Sequence, residues 1–386
     1  MRLLIAGGGT GGHIYPALAV ARSLRERPDR PNAPDLVWLG GHRGLEAEIV
    51  RDAGIRCRRL VLRSLRTVDL SVHAVLDPIR LAASVPQATA ILARERPAAI
   101  LTTGGYVAVP VLLAAAPMRI PVVLWEGNAI PGRAVRATAR LADAIAVSYE
   151  AAARALASAG VPTFVTGTPI RDVTAISRAD ARVRLDLPLD APTILIFGGS
   201  QAVRRFNAAV AAALPRLVER VHVLHVTGES GYAAALAERE RLPVEARGHY
   251  RPYPFLREDM LAALVATDLV VGRAGSSTVA EVAALGIPSV IVPYPHAGAH
   301  QGANAEVLAE AGAARVIRDE DFDADTLVAA TDLVLDESAH RSMSEAARRI
   351  GRPRAAEAVA ELTLALAERR PMPSPEAIEA IARGAA

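Results

Sequence analysis

Residues 272–304, GRAGSSTVAEVAALGIPSVIVPYPHAGAHQGAN, place a turn, a helix, a buried strand and a polar loop in one continuous segment. The apolar Leu269, Val270 and Val271 before it read as a strand, and the small-residue turn RAGSST is followed by Val279, Val282 and Ala283 at helical spacing. A helix starting there presents unpaired N–H groups and a positive dipole end, which suits a phosphate or pyrophosphate at Ser276, Ser277 and Thr278. Glu281, one turn further in, can accept hydrogen bonds from ribose hydroxyls; the ordinary alternative is a capped helix with a first-turn acid. The strand-like PSVIVP at 288–293 then leads into a polar loop at 296–304 containing His300 and Gln301. Loops at the carboxyl ends of strands are where open α/β sheets bind ligands.

The same grammar recurs outward from this segment. Residues 2–6 form an apolar run that enters GGGTGGH at 7–13, with helical spacing over 16–24, the opening of a Rossmann-type unit. No acid follows at the distance a dinucleotide site needs, since residues 36–39 run into GGHR, which disfavours a nicotinamide cofactor. Further short strands precede Gly104-Gly105-Tyr106 and Glu126-Gly127-Asn128, and another lies at 144–147 before a helix at 150–159. At 193–197 the pattern restarts, entering GGSQ at 198–201 and a helix at 206–214. The expected fold class is therefore α/β: two Rossmann-like, doubly wound domains with parallel sheets, facing across a cleft. The expected domains are 1–168 and 169–352, with a linker near 167–190 and an amphipathic helix at about 353–370 that can return to the first. The tail beyond residue 371 is uninformative.

With 386 residues, 51% hydrophobic and 22% charged, the chain has room for two cores. A formal net charge of +3 is too small to imply a nucleic-acid partner, and all 44 basic residues are arginine, which reads as composition bias. The single cysteine, Cys57, excludes an internal disulfide and a cysteine-rich zinc site. The uncharged stretch 97–118 is long enough to span a bilayer, but TTGG in its middle and Pro110 after it make it a strand, turn and helix instead. The acidic run at 319–325 precedes a helical pattern and reads as capping and solvation, so no metal is expected there. Residues 55–66 mix Arg56, Arg58, Arg59, Arg63 and Arg66 with apolar residues, a combination that attracts an anionic membrane surface; the alternative is a strand with a solvated basic face.

Taken together, GGGTGGHIYPALAVA, TTGGYVAVP, TGTPIR, FGGSQ, RAGSSTVAE and HQGAN closely resemble the MurG family, the peptidoglycan glycosyltransferases of glycosyltransferase family 28 with the GT-B architecture. The resemblance covers most of the chain in order. It implies transfer of N-acetylglucosamine from UDP-N-acetylglucosamine to the C4 hydroxyl of the muramic acid in lipid I (undecaprenyl-pyrophosphoryl-MurNAc-pentapeptide), giving lipid II with inversion. It implies no cofactor, no metal, no nucleic acid, and a peripheral position on the cytoplasmic side of the plasma membrane. By the same resemblance Thr10, Gly11, Gly12, Asn128, Arg171, Ser200, Gln201, Leu256, Ser276, Ser277, Thr278, Glu281, His300 and Gln301 meet the donor, with Leu256 near the uracil. Tyr106, Glu126 and Asn128 stand on the acceptor side. His13 is the expected base, a neutral imidazole being well matched to taking the hydroxyl proton, and Glu126 the alternative. Where the family commonly shows His-Glu-Gln-Asn, this chain has Trp125-Glu126-Gly127-Asn128. The alternatives are a related GT-B enzyme with another acceptor, a sugar-nucleotide epimerase, or a nucleotide-binding module without catalysis.

Overall fold

A computed structural model describes residues 1–8, 11–27, 32–41, 46–62, 73–198, 203–256, 259–295 and 300–384. The chain divides into two compact units, residues 1–171 with 352–386, and residues 172–351.

The first unit runs β1 (Arg2–Ala6), α1 (Gly11–Arg25), β2 (Asp35–Gly40), α2 (Glu46–Asp52), β3 (Arg56–Arg59), α3 (His73–Glu95), β4 (Ala99–Thr102), α4 (Gly105–Met118), β5 (Val122–Glu126), α5 (Arg133–Thr138), β6 (Ala144–Val147), α6 (Glu150–Leu156) and β7 (Thr163–Val165). The second runs α7 (Arg178–Arg184), β8 (Thr193–Phe197), α8 (Val203–Val218), β9 (His222–Val226), α9 (Glu229–Arg241), β10 (Tyr250–Tyr253), α10 (Met260–Ala266), β11 (Leu269–Gly272), α11 (Ser276–Leu285), β12 (Ser289–Ile291), α12 (His300–Glu310), β13 (Ala314–Val316), α13 (Ala324–Ala330), α14 (Asp332–Leu335) and α15 (Glu337–Ile350). Two more helices, α16 (Ala355–Ala367) and α17 (Pro375–Arg383), close the chain and belong to the first unit.

Each unit holds one parallel sheet, ordered β3-β2-β1-β4-β5-β6-β7 and β10-β9-β8-β11-β12-β13. The order reverses direction between β1 and β4 in one and between β8 and β11 in the other, the two switch points at which a doubly wound sheet opens a crevice. Strands such as β4, β5, β8 and β11 are buried along their whole length, which is why they read as unbroken apolar runs. One core face of the first sheet, with Ile5, Trp38, Leu101 and Trp125, is covered by α1 and α16; the other, with Leu4, Ile100 and Leu124, lies under α4.

The structure narrows the expected linker. Only the crossings at 171/172 and 351/352 separate the units, because α7 packs on α10 within the second. The stretch 97–118 is β4, a glycine turn and α4; among the described residues no helix is long and apolar enough to cross a membrane. The helix expected near the end of the chain is buried nearly all round rather than on one face. The tail forms α17, whose Ser374 accepts from the Ala377 N–H ahead of Pro375, a start signal that was present in the sequence. Of the acidic run, Asp323 caps α13 in a reciprocal pair with Thr326, while Asp319 and Asp325 bind Arg273 and Arg216.

Two histidines of β9 in the second sheet are held neutral by their surroundings. Burial, then the neighbouring His249 with ring centroids 4.4 Å apart, and then Arg251 and Arg182, lower the His222 imidazole from 6.5 to about 4; burial lowers His225 to about 3. The folded state therefore favours neutral rings. That contribution is complete above pH 6.5 and is lost as the pH falls toward 4, because the unfolded chain takes up protons first. Calorimetry is expected to show the melting temperature falling on acidification through this window, and falling less in His222→Gln; parallel pH profiles for the two proteins would exclude the ring as the cause.

Candidate functional site

In the first unit the predicted residues gather at the carboxyl ends of β1, β4 and β5. Gly11 and Gly12 are exposed at the start of α1, and half-buried His13 follows them. His13 Nδ1 lies 2.6 Å from the Thr103 carbonyl oxygen, and Thr103 Oγ1 donates back to the His13 carbonyl at 2.9 Å. A carbonyl can only accept, so the proton of the neutral ring sits on Nδ1 and the lone pair on Nε2. Gly104 and Gly105, at φ of 80° and 69°, make the turn after β4 that only glycine adopts without strain. A Cβ on Gly105 would stand 3.4 Å from His13 Nε2, so the glycine keeps that nitrogen clear of side chains on this flank.

Glu126 ends β5 and is only 4% exposed. Its Oε1 accepts from the Asn128 N–H and from Asn128 Nδ2, both at 2.9 Å, and its Oε2 accepts from the Gly132 N–H at 2.9 Å. The carboxylate thus organises the 126–132 segment, which is the work of a positioning group. Tyr106 is buried at 8% exposure on α4, its hydroxyl against the Gly41 backbone.

In the second unit α11 begins directly after β11 at the switch point. Its cap residue Gly275 is extended and supplies no side-chain hydrogen bond, and the first backbone bond of the helix is Val279 N–H to the Gly275 carbonyl at 3.0 Å. The N–H groups of half-buried Ser276, Ser277 and Thr278 therefore precede the helical ladder, as an anion site requires. Glu281 is buried on the same helix. Gln301, on the first turn of α12, accepts the Tyr294 N–H at 2.9 Å; half-buried His300 precedes it, and buried Leu256 follows β10.

Two residues that the sequence analysis did not single out hold this turn. Arg273 is buried, donates to the Val292 carbonyl at 3.0 Å, pairs with Asp319 at 2.5 Å and lies over the Phe206 and Tyr294 rings. Asn304 Nδ2 donates to the Ala274 carbonyl at 3.2 Å. Nothing in their spacing distinguished them from ordinary loop residues.

Arg171 is the last residue of the first unit rather than part of the second. Thr10, Ser200 and Gln201 lie outside the described residues, as do Arg63 and Arg66 of the basic segment. Within that segment Arg56 pairs with Asp35 at 3.0 Å and Arg58 with buried Glu95 at 2.8 Å, while Ile55, Leu60 and Leu62 are in the core. Arg59 is exposed. Two cavities of about 720 and 300 Å3 open at the amino ends of β4 and β5 and of β8 and β11, away from His13 and Ser276.

Comparison with known proteins agrees with both halves. Residues 3–147 match the model of the glycosyltransferase family 28 N-terminal domain, and residues 193–361 that of its C-terminal domain. The chain is 38% identical over 369 residues to the UDP-N-acetylglucosamine--N-acetylmuramyl-(pentapeptide) pyrophosphoryl-undecaprenol N-acetylglucosamine transferase of Lactiplantibacillus plantarum, covering 92% of this chain and 97% of that one. It is 38% identical over 380 residues to the Moorella thermoacetica protein of the same name, covering 95% and 100%. Among solved structures, Acinetobacter baumannii MurG superposes with a TM-score of 0.74 at 27% identity, over 94% of this chain and 99% of that one. A UDP-GlcNAc 2-epimerase from Neisseria meningitidis, at TM-score 0.67 and 12% identity over 96% and 100%, shares the fold alone.

Proposed function

The chain belongs to glycosyltransferase family 28, and from that premise we propose that it transfers N-acetylglucosamine from UDP-N-acetylglucosamine to the C4 hydroxyl of the muramoyl sugar of lipid I, forming lipid II. The observation that carries the chemistry is His13, whose ring is held through Nδ1 with Nε2 as its basic atom. The acceptor oxygen forms a bond to the anomeric carbon, its proton passes to Nε2, and the anomeric C–O bond breaks with its electron pair leaving on the UDP phosphate. A single displacement of this kind inverts the anomeric centre.

The leaving diphosphate gains negative charge as that bond breaks, and the uncapped N–H groups of Ser276, Ser277 and Thr278 suit it. Glu281 suits the ribose, one turn along the same helix. Glu126 and Asn128 shape the acceptor side, with Glu126 as organiser. An epimerase is disfavoured, since its likeness to this chain extends to the fold only. The test is incubation with UDP-N-acetylglucosamine and a lipid I analogue. A β-linked disaccharide product is expected, and transfer to a different acceptor alone would overturn the assignment.

A polyprenyl-linked acceptor requires approach to the cytoplasmic leaflet as a peripheral protein. With Arg56 and Arg58 engaged in ion pairs, exposed Arg59 is the described arginine of the 55–66 segment best placed to meet anionic headgroups. Arg59→Glu is expected to weaken co-sedimentation with anionic vesicles several-fold and leave neutral vesicles unaffected; unchanged binding to the anionic vesicles would remove Arg59 from this role.

A further inference from the structure

The Trp125 indole is 1% exposed at the end of β5, and its benzo edge fills the place where a side chain at position 127 would begin. A Cβ on Gly127 would lie 2.5 Å from the indole Cη2 and 3.1 Å from both Cζ2 and Cζ3. Gly127 is not among the glycines of positive φ, so its need for glycine is steric rather than conformational. The other edge of the ring is also tied down. Nε1 donates to the Gly167 carbonyl at 3.2 Å beyond β7, and strand register sets Trp125 beside Ala146 of β6, whose small side chain leaves room for the ring.

Gly127, the residue against this ring, lies in the segment that Glu126 organises. Asn128 and Gly132 both donate to that carboxylate. The Trp125 carbonyl oxygen is 3.6 Å from the Cβ position of Gly104, whose turn adjoins His13. A shift at residue 127 is therefore passed directly to Asn128 on one side and toward the His13 corner on the other.

We propose that Trp125 and Gly127 form one positioning unit, with the indole as the floor beneath residues 126–132 and glycine as the residue it admits, and that this pair sets the geometry of the acceptor side. An indole at 125 and a side chain at 127 exclude each other, so a side chain at 127 requires a smaller residue at 125. The proposal rests on the acceptor reading of this loop given above.

The test is a double-mutant cycle on the full chain, followed by turnover of a lipid I analogue, by UDP affinity and by indole fluorescence. Gly127→Ala is expected to lower kcat/KM for the acceptor about 10- to 100-fold, because displacements near 1 Å have that effect, with UDP affinity within about twofold. Trp125→Leu/Gly127→Ala is expected to recover most of that loss; a double variant no better than the product of its singles overturns the proposal. If Gly127→Ala is too unstable to purify, a folded double variant supports the pair and an equally unstable one overturns it. Trp125 is one of two tryptophans, so in a Trp38→Phe background its emission reports the wedge independently of any acceptor. Gly127→Ala is expected to shift that emission, and an unchanged spectrum overturns the wedge. A shifted spectrum in a protein whose parent makes no disaccharide overturns the acceptor reading instead.

Discussion

His13→Ala is expected to lower turnover by about a hundred- to ten-thousand-fold, the range typical for loss of a general base, while UDP affinity stays within about twofold. The Thr103 carbonyl at 2.6 Å fixes both the ring plane and the tautomer, and the reciprocal bond from Thr103 Oγ1 ties the helix start to the end of β4. Removing the imidazole leaves these backbone elements in place, since the Thr103 hydroxyl bonds to the main chain of residue 13 and not to its side chain. The N–H groups proposed to take the diphosphate belong to α11 of the other unit, and the substitution leaves the backbone of Gly11 and Gly12 beside it unchanged. Steady-state kinetics with a lipid I analogue, beside calorimetric titration with UDP, separates the two quantities. Added imidazole is expected to restore part of the lost rate by entering the space left behind. Turnover within tenfold of the parent would remove His13 as the base.

Glu126→Gln is the complementary experiment, because the same loss of charge has different consequences for a base and for an organiser. The carboxylate accepts three N–H bonds, two on Oε1 and one on Oε2. An amide presents only one accepting atom, so at least one buried N–H faces another donor, at a cost of about 1–3 kcal/mol concentrated in the 126–132 segment. The expected result is a 10- to 100-fold fall in kcat/KM for the acceptor, about what that energy corresponds to, with the pH–rate profile of the parent retained. A loss as deep as that of His13→Ala, together with disappearance of the acidic limb of the profile, would make Glu126 the base.

The acidic and basic stretches show how far residue type alone can be read. In the run at 319–325, read as capping and solvation, Asp323 caps α13, because an aspartate before a helical pattern has the free N–H groups of the first turn within reach, while Asp319 and Asp325 are taken by Arg273 and Arg216. The basic stretch at 55–66 gave no such guide. Two of its arginines are held by Asp35 and Glu95, from β2 and the end of α3, and a partner that far along the chain leaves no local trace. Arg273 and Asn304 were invisible for the same reason, since they bind carbonyls of residues brought close only by the winding of the second sheet.

By itself the sequence determined the α/β class, the two units, the glycine turn after β4 and the helix start at Ser276, because periodicity and glycine placement are properties of neighbouring residues. It also carried the family signature. The tertiary structure alone decided that the tail forms α17 and joins the first unit, that the Thr103 carbonyl selects the tautomer of His13, and that Glu126 is already occupied by three donors. Only there, too, do Trp125 and Gly127 cease to be two separate departures, since the volume the indole fills is the volume a side chain at 127 would need. Excluded volume and hydrogen-bond direction depend on where distant backbone and folded side chains come to lie, and one-dimensional spacing does not encode that.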